Sequence, residues 1–188
     1  MSVRRRRLGV LSAAVVAAAA IAIPVAQADA GQLNVQQQTQ QQNQWCWVAS
    51  GLTIARFKGY GANTTQNTFC AYGRGMSAGS SCPNQPGELS NVQRAFQQLG
   101  LRPGSVTGAL SFSSVQGEID GSRPIETGIY WTAGGGHAQV IYGYDQASQS
   151  VFYGDPWPSS PRYSQARHSS YVSNSQFRWA QSLYRIGS

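Results

Sequence analysis

The spacing of apolar positions changes once along this chain, near Pro124. Before it, apolar residues recur at helical intervals. Val48, Leu52 and Ala55 mark one stripe from Cys46 to a stop at Gly59, and Leu89, Val92, Phe96 and Leu99 mark another that ends at Gly100. Shorter helices are expected over 64–72 and 113–119. After Pro124 the segments 125–131, 137–144, 150–155 and 177–186 are rich in β-branched and aromatic residues and are separated by Gly, Asp, Ser and Pro, which predicts strands. The glutamine-rich stretch 32–44 reads as an extended arm. Helices followed by antiparallel strands predict an α+β fold, a helical subregion packed on a sheet with a cleft between them.

The first thirty residues have a different texture. Arg4 to Arg7 are basic, Leu8 to Pro24 are apolar, and Ala28-Asp29-Ala30 offers a small-residue cleavage site. The apolar run of 17 residues is short for a membrane span. A signal peptide over 1–30 is therefore expected, cut after Ala30 or alternatively after Ala28, with the paired arginines leaving a twin-arginine route open. Residues 31–188 would then form one secreted domain, monomeric and free of the membrane. Removing the leader leaves ten basic against six acidic side chains, +4 instead of +7. The remaining basic residues are scattered, so nothing in the charge pattern points to nucleic acid.

Cys46, Cys70 and Cys82 are the only cysteines. An odd count in an exported chain suggests one pair and one free thiol. Cys70 and Cys82 flank the Gly- and Ser-rich "AYGRGMSAGSS", a loop suited to a disulfide, which leaves Cys46 free. One spare thiol and two histidines provide no metal-ligand spacing, so no metal is expected. Cys46 stands where a helix begins, and the unpaired amides and dipole at that end favour an anion.

A thiolate nucleophile needs a base. Of the two histidines, His137 follows Gly134-Gly135-Gly136 and opens a strand, whereas His168 lies in the polar "SQARHSSY" and reads as a solvated loop residue. A base in turn needs an orienting group. Strands 137–144 and 150–155 read as a hairpin whose open end brings Asp155 back toward His137. Asp145, the runner-up, sits in the turn at the far end. Side chains alternate faces along a strand, so His137 and Asp155 share a face only if the numbers of opposed residues sum to an even number. That requires an odd-length loop or a bulge.

"NQWCWVASG", "GGGHAQVIYGYD" and "YGDPW", in this order, resemble the papain-like cysteine proteases, in particular the small bacterial branch of effector proteases, staphopains and bacteriocin-leader peptidases. The resemblance implies a papain-like fold and a cofactor-free cysteine endopeptidase acting on proteins or peptides through an acyl-enzyme. It further implies a nucleophile at Cys46, a base at His137 and an orienter at Asp155. The family's glutamine six residues before the cysteine, which donates to the oxyanion, falls on Gln40. Cell-wall amidases and acyl or glutamyl transferases also combine Cys, His and a polar third group, and a non-catalytic secreted binding module is a further reading.

Overall fold

A computed structural model describes residues 30–187. The expected signal peptide lies outside the described residues except for Ala30. Five helices are found among them: α1 (Cys46–Phe57), α2 (Gln66–Gly73), α3 (Leu89–Gln98), α4 (Phe112–Asp120) and α5 (His168–Val172). Their starts follow from local chemistry. The side chain of Thr65 accepts the Thr68 N–H, Ser111 accepts the Ser114 N–H, and Glu88 and Asn91 form a reciprocal capping box. From Trp47 to Ala55 α1 is buried throughout. Its small residues permit this, since a Cβ at Gly51 would lie 2.7 Å from the Phe69 ring and 2.8 Å from Val92.

Seven strands form one antiparallel sheet: β1 (Ala30–Gln32), β2 (Ser105–Thr107), β3 (Ile125–Trp131), β4 (Gly136–Asp145), β5 (Ser150–Gly154), β6 (Tyr163–Arg167) and β7 (Phe177–Tyr184). The order is β2-β7-β3-β4-β5-β6, and β1 pairs with the end of β4 that β3 does not reach. One core lies between the sheet and helices α1 to α3, with Trp47, Leu52, Phe96, Val140 and Leu183 among its members. A second lies on the opposite face and holds Ile119, Ile129, Tyr144, Tyr171 and Trp179. The architecture is the expected α+β.

Regular pairing continued from the turn would place Asp155 away from His137, but one residue of β4 is bulged out of the ladder. Asp145, Tyr144 and Gly143 oppose Ser150, Val151 and Phe152, but Ile141 and Val140 oppose Tyr153 and Gly154. The register slips at Tyr142, so opposed numbers sum to 295 on the turn side and to 294 on the cleft side. The even sum puts His137 and Asp155 on one face. The hairpin supplies the bulge that the sequence argument required.

The disulfide joins Cys70 to Cys82, leaving Cys46 as the free cysteine of the described residues. Beyond Cys82 the chain returns past the start of α1. There the Trp45 indole donates to the Pro83 carbonyl at 3.1 Å and the Trp47 indole to that of Gln85 at 3.3 Å. The two tryptophans that flank Cys46 thus hold the segment that walls one side of the cleft. The glutamine-rich arm is extended as far as Gln40, turns over 41–44, and straps both subregions together. Gln38 N donates to Thr53 Oγ1, Gln66 Nε2 to the Thr39 carbonyl, and Gln40 N to the Pro156 carbonyl.

Candidate active site

The N-terminus of α1, the start of β4 and the loop after β5 meet at a cleft of about 590 Å³. Cys46, His137 and Asp155 all line it, together with Pro86, Leu89, Tyr130, Trp131 and Trp157. Glycines 134 and 135 take φ of +97° and +84° at the tip of the β3–β4 hairpin, and a Cβ on either would meet nothing within 4 Å, so this rim stays low and open.

Asp155 Oδ1 stands 2.8 Å from His137 Nε2. The side chains are 8% and 10% exposed for His137 and Asp155 respectively. With Nε2 occupied by Asp155, Nδ1 is the ring nitrogen left to Cys46, whose side chain acts on the imidazole. Trp131 stacks over the imidazole at 6.0 Å between ring centres, and Trp157 meets it edge-on at 6.5 Å. Burial alone would disfavour the imidazolium. Hydrogen bonds and charge from Asp155 and Cys46 outweigh burial and push the His137 pKa up to about 9. Burial likewise works against the Asp155 anion. Its bonds to His137, to the Trp157 N–H at 2.8 Å and to Gln139 nevertheless bring its pKa below the ordinary carboxylate value.

The other sequence candidates fall elsewhere. Asp145 accepts from the N–H and hydroxyl of Ser148 and does turn work at the far end of the hairpin. His168 is not the solvated loop residue expected from its polar neighbours. It opens α5, packs edge-on against Phe112 and Trp179, and bonds the Leu110 carbonyl through Nε2 at 2.9 Å. Gln40 is buried beside the Asp155 loop; its Nε2 donates to the Gln42 carbonyl at 2.8 Å, and its Oε1 has no partner among the described residues. Asn43 and Gln44 line the cleft, while Gln40 is not among its lining residues. No group of three or more His, Cys, Asp or Glu residues able to hold a metal occurs among the described residues.

Four residues that sequence reasoning passed over belong to this site. Gln139 lies two positions from His137 on the same face of β4 and donates to Asp155 Oδ2 at 2.8 Å. A polar residue in an otherwise apolar strand, in phase with the candidate base, was a usable signal. Arg162 donates to the Asp155 carbonyl and, at 2.8 Å, to Thr39 Oγ1. Trp131 covers the imidazole, as noted above. Glu126, on β3, is fully buried with neither carboxylate oxygen hydrogen-bonded among the described residues.

The sequence profile of the family described as papain-like cysteine protease AvrRpt2 matches residues 28–176. The chain belongs to that family. No sequence among the curated proteins matches it. Among solved structures, a double glycine motif protease from an AMS/PCAT transporter, determined with its leader peptide, superposes with a TM-score of 0.52. It is 17% identical, and the match covers 84% of this chain and 95% of that one. The likeness shows a shared fold, and membership of the family makes this chain a cysteine peptidase.

In this protease Glu126 is a stability cost close to the site. Burial, and secondarily the charge of Cys46, raise its pKa well above the ordinary 4.5. The folded state therefore keeps a proton that the unfolded chain releases, and stability is lost as pH rises above about 4.5. Glu126→Met should stabilise the protein at pH 8 by about 1–3 kcal/mol, because it also removes two unpaired buried oxygens. The gain should shrink toward pH 4. Denaturant melts of both proteins at the two pH values check this, and a gain independent of pH would contradict it.

Proposed function

We propose that this protease is an exported endopeptidase in which Cys46 is the nucleophile, His137 the general acid and base, and Asp155 the group that orients the imidazole. The observation that carries the reading is the meeting of Cys46, His137 and Asp155 in one cleft, with Nε2 held by Asp155 and Nδ1 left for the thiol. The thiolate Sγ attacks the scissile carbonyl carbon, and its electron pair passes to the carbonyl oxygen. As the tetrahedral intermediate collapses, the C–N bond breaks and Nδ1–H gives its proton to the leaving amine. His137, now neutral, takes a proton from water as the water oxygen attacks the thioester. The acid product leaves and the thiolate–imidazolium pair returns.

Gln40 is the proposed side-chain donor to the oxyanion, using the amide hydrogen that Gln42 does not take, beside the backbone N–H of Cys46. Gln40→Ala should lower kcat by about 10²–10³ with little change in KM. A loss confined to Gln44→Ala would move that role to the cleft-lining glutamine.

Export is supported by the basic and apolar leader and by the disulfide, which suits an oxidising compartment. A cut after Ala30 falls inside β1, whereas a cut after Ala28 keeps the strand whole. N-terminal sequencing of the secreted protein should read Gly31 or Asp29 first. To test the activity, the purified protein is offered casein and, separately, peptidoglycan, with Cys46 labelling by an epoxide affinity reagent in parallel. Casein digestion that the label abolishes supports the proposal. Release of peptidoglycan fragments with casein intact would assign the site to a cell-wall amidase, and failure to label Cys46 in the folded protein would remove the nucleophile.

A further inference from the structure

Behind Asp155, away from the cleft, three buried side chains form a hydrogen-bonded line. Thr127, Gln139 and Tyr171 are 0%, 3% and 0% exposed. Thr127 and Gln139 are opposed across β3 and β4, and Tyr171 reaches them from α5. The Tyr171 hydroxyl is 2.9 Å from Gln139 Oε1 and 2.8 Å from Thr127 Oγ1, and Gln139 Nε2 is 2.8 Å from Asp155 Oδ2.

Asp155 sets the direction of the donors in this line. An ionised carboxylate only accepts, so the nitrogen of Gln139 faces Asp155 and its oxygen takes the single Tyr171 proton. Thr127 then donates to Tyr171 at 2.8 Å in preference to the Gln139 main-chain carbonyl at 3.4 Å. Burial drives the Tyr171 pKa upward and keeps the phenol protonated. The rings of Tyr153, Phe177 and Trp179 pack around Tyr171 and hold its hydroxyl in place. An amide turned the other way would set Oε1 against a carboxylate and an NH2 group against a committed donor.

We infer that Gln139 is a positioning residue of the peptidase, and that Tyr171 and Thr127 behind it make it hold Asp155 as an anion that accepts on both oxygens. The inference rests on Asp155 as the orienter of His137. Oδ1 takes His137 Nε2 and the Trp157 N–H, and Oδ2 takes Gln139, so the carboxylate plane cannot rotate away from the imidazole. The charged and titratable groups facing Asp155 are His137 and Cys46 at the cleft, Arg162 on its main-chain carbonyl, and Tyr171 behind Gln139.

With the donors ordered this way, Asp155→Asn either points its NH2 at Gln139, which sets two donors face to face unless the whole line reverses onto the longer Thr127 bond to the Gln139 carbonyl, or turns it toward His137. Either arrangement costs activity. Exchanging the two functions restores complementarity: in the double variant Asp155→Asn with Gln139→Glu, the new carboxylate accepts from Asn Nδ2 and from Tyr171, while the Asn oxygen accepts from His137. We expect Asp155→Asn alone to lose about tenfold in kcat, and the double variant to recover to within about threefold of wild type at unchanged KM. Tyr171→Phe frees the amide to turn, and should move the acid limb of Cys46 alkylation by iodoacetamide up by about half a pH unit. A merely structural role would lower the melting temperature without rescue and without moving that limb. A folded double variant no better than Asp155→Asn overturns the inference. Should the double variant fail to fold, an unmoved acid limb in Tyr171→Phe overturns it instead. Asp155→Ala is the control that separates the two claims. Wild-type activity there refutes the orienter itself, whereas an impaired Asp155→Ala with no rescue refutes only the role of Gln139.

Discussion

Cys46→Ala is expected to leave a folded protein with no measurable peptide-bond hydrolysis, a loss of roughly 10⁴-fold or more. The side chain is only partly buried at the first position of α1, and alanine is a good helix former, so the helix and the core behind it are untouched. No other thiol can substitute, because Cys70 and Cys82 are joined to each other. Hydrolysis of casein and of one fluorogenic peptide, with thermal melts of both proteins, makes the comparison. Near-wild-type turnover in a folded Cys46→Ala protein would end the assignment of the nucleophile.

The second large effect concerns the proposed base. His137→Ala should lower kcat/KM by about 10²–10⁴, whereas His168→Ala should stay close to wild type because its ring is engaged with Leu110 away from the cleft. The pH dependence follows from the same geometry. A histidine ordinarily loses its proton near 6.5, but here the imidazolium persists to about 9. Activity carried by the thiolate–imidazolium pair should therefore hold through neutral pH and fall along an alkaline limb near 9. Asp155 is held below its ordinary pKa, so its charge survives on the acid side of that plateau. In Asp155→Asn the nearby negative charge is gone, the imidazolium is less favoured, and the alkaline limb should move to lower pH. Asp155→Ala removes the hydrogen bond as well as the charge and should weaken the base further. pH–rate profiles of the five proteins on one substrate test all of this. An alkaline limb that stays near 9 without Asp155 would show that the carboxylate does not set it.

What the chain revealed in advance was whatever repeated or stood out locally. The stripes of α1 and α3, the aromatic runs of β3, β4, β5 and β7, and the odd cysteine all depend on residues close in sequence. The structure adds β1, β2, β6 and α5, which are three to five residues long with little apolar signal, and which exist because the sheet offers them pairing partners. The misreading of His168 has the same origin, since its polar neighbours in sequence hide the two aromatic rings that reach it from α4 and β7. Asp155 could be nominated from hairpin geometry, but whether it faced His137 turned on a parity that only the register at Tyr142 decides. The grip of Gln139, Tyr171 and Thr127 on Asp155 joins three elements up to 44 residues apart, and no local pattern announces such a meeting.

The extra residue at Tyr142 also governs how this hairpin can change in length over generations. An insertion or deletion in the turn 146–149, most of which is exposed, leaves both strands paired as they are. A single residue lost or gained between His137 and Ile141, or between Tyr153 and Asp155, exchanges inner for outer faces and sends either the imidazole or the carboxylate to the wrong side of the sheet. Loss of Tyr142 itself would instead leave Gly143 opposite Phe152 and Ile141 opposite Tyr153 in an unbroken ladder, with both groups still on one face. Lineages of this enzyme are thus free to vary the loop or to drop the bulged residue, whereas a residue gained or lost between the bulge and the chemistry needs a second change that restores the count.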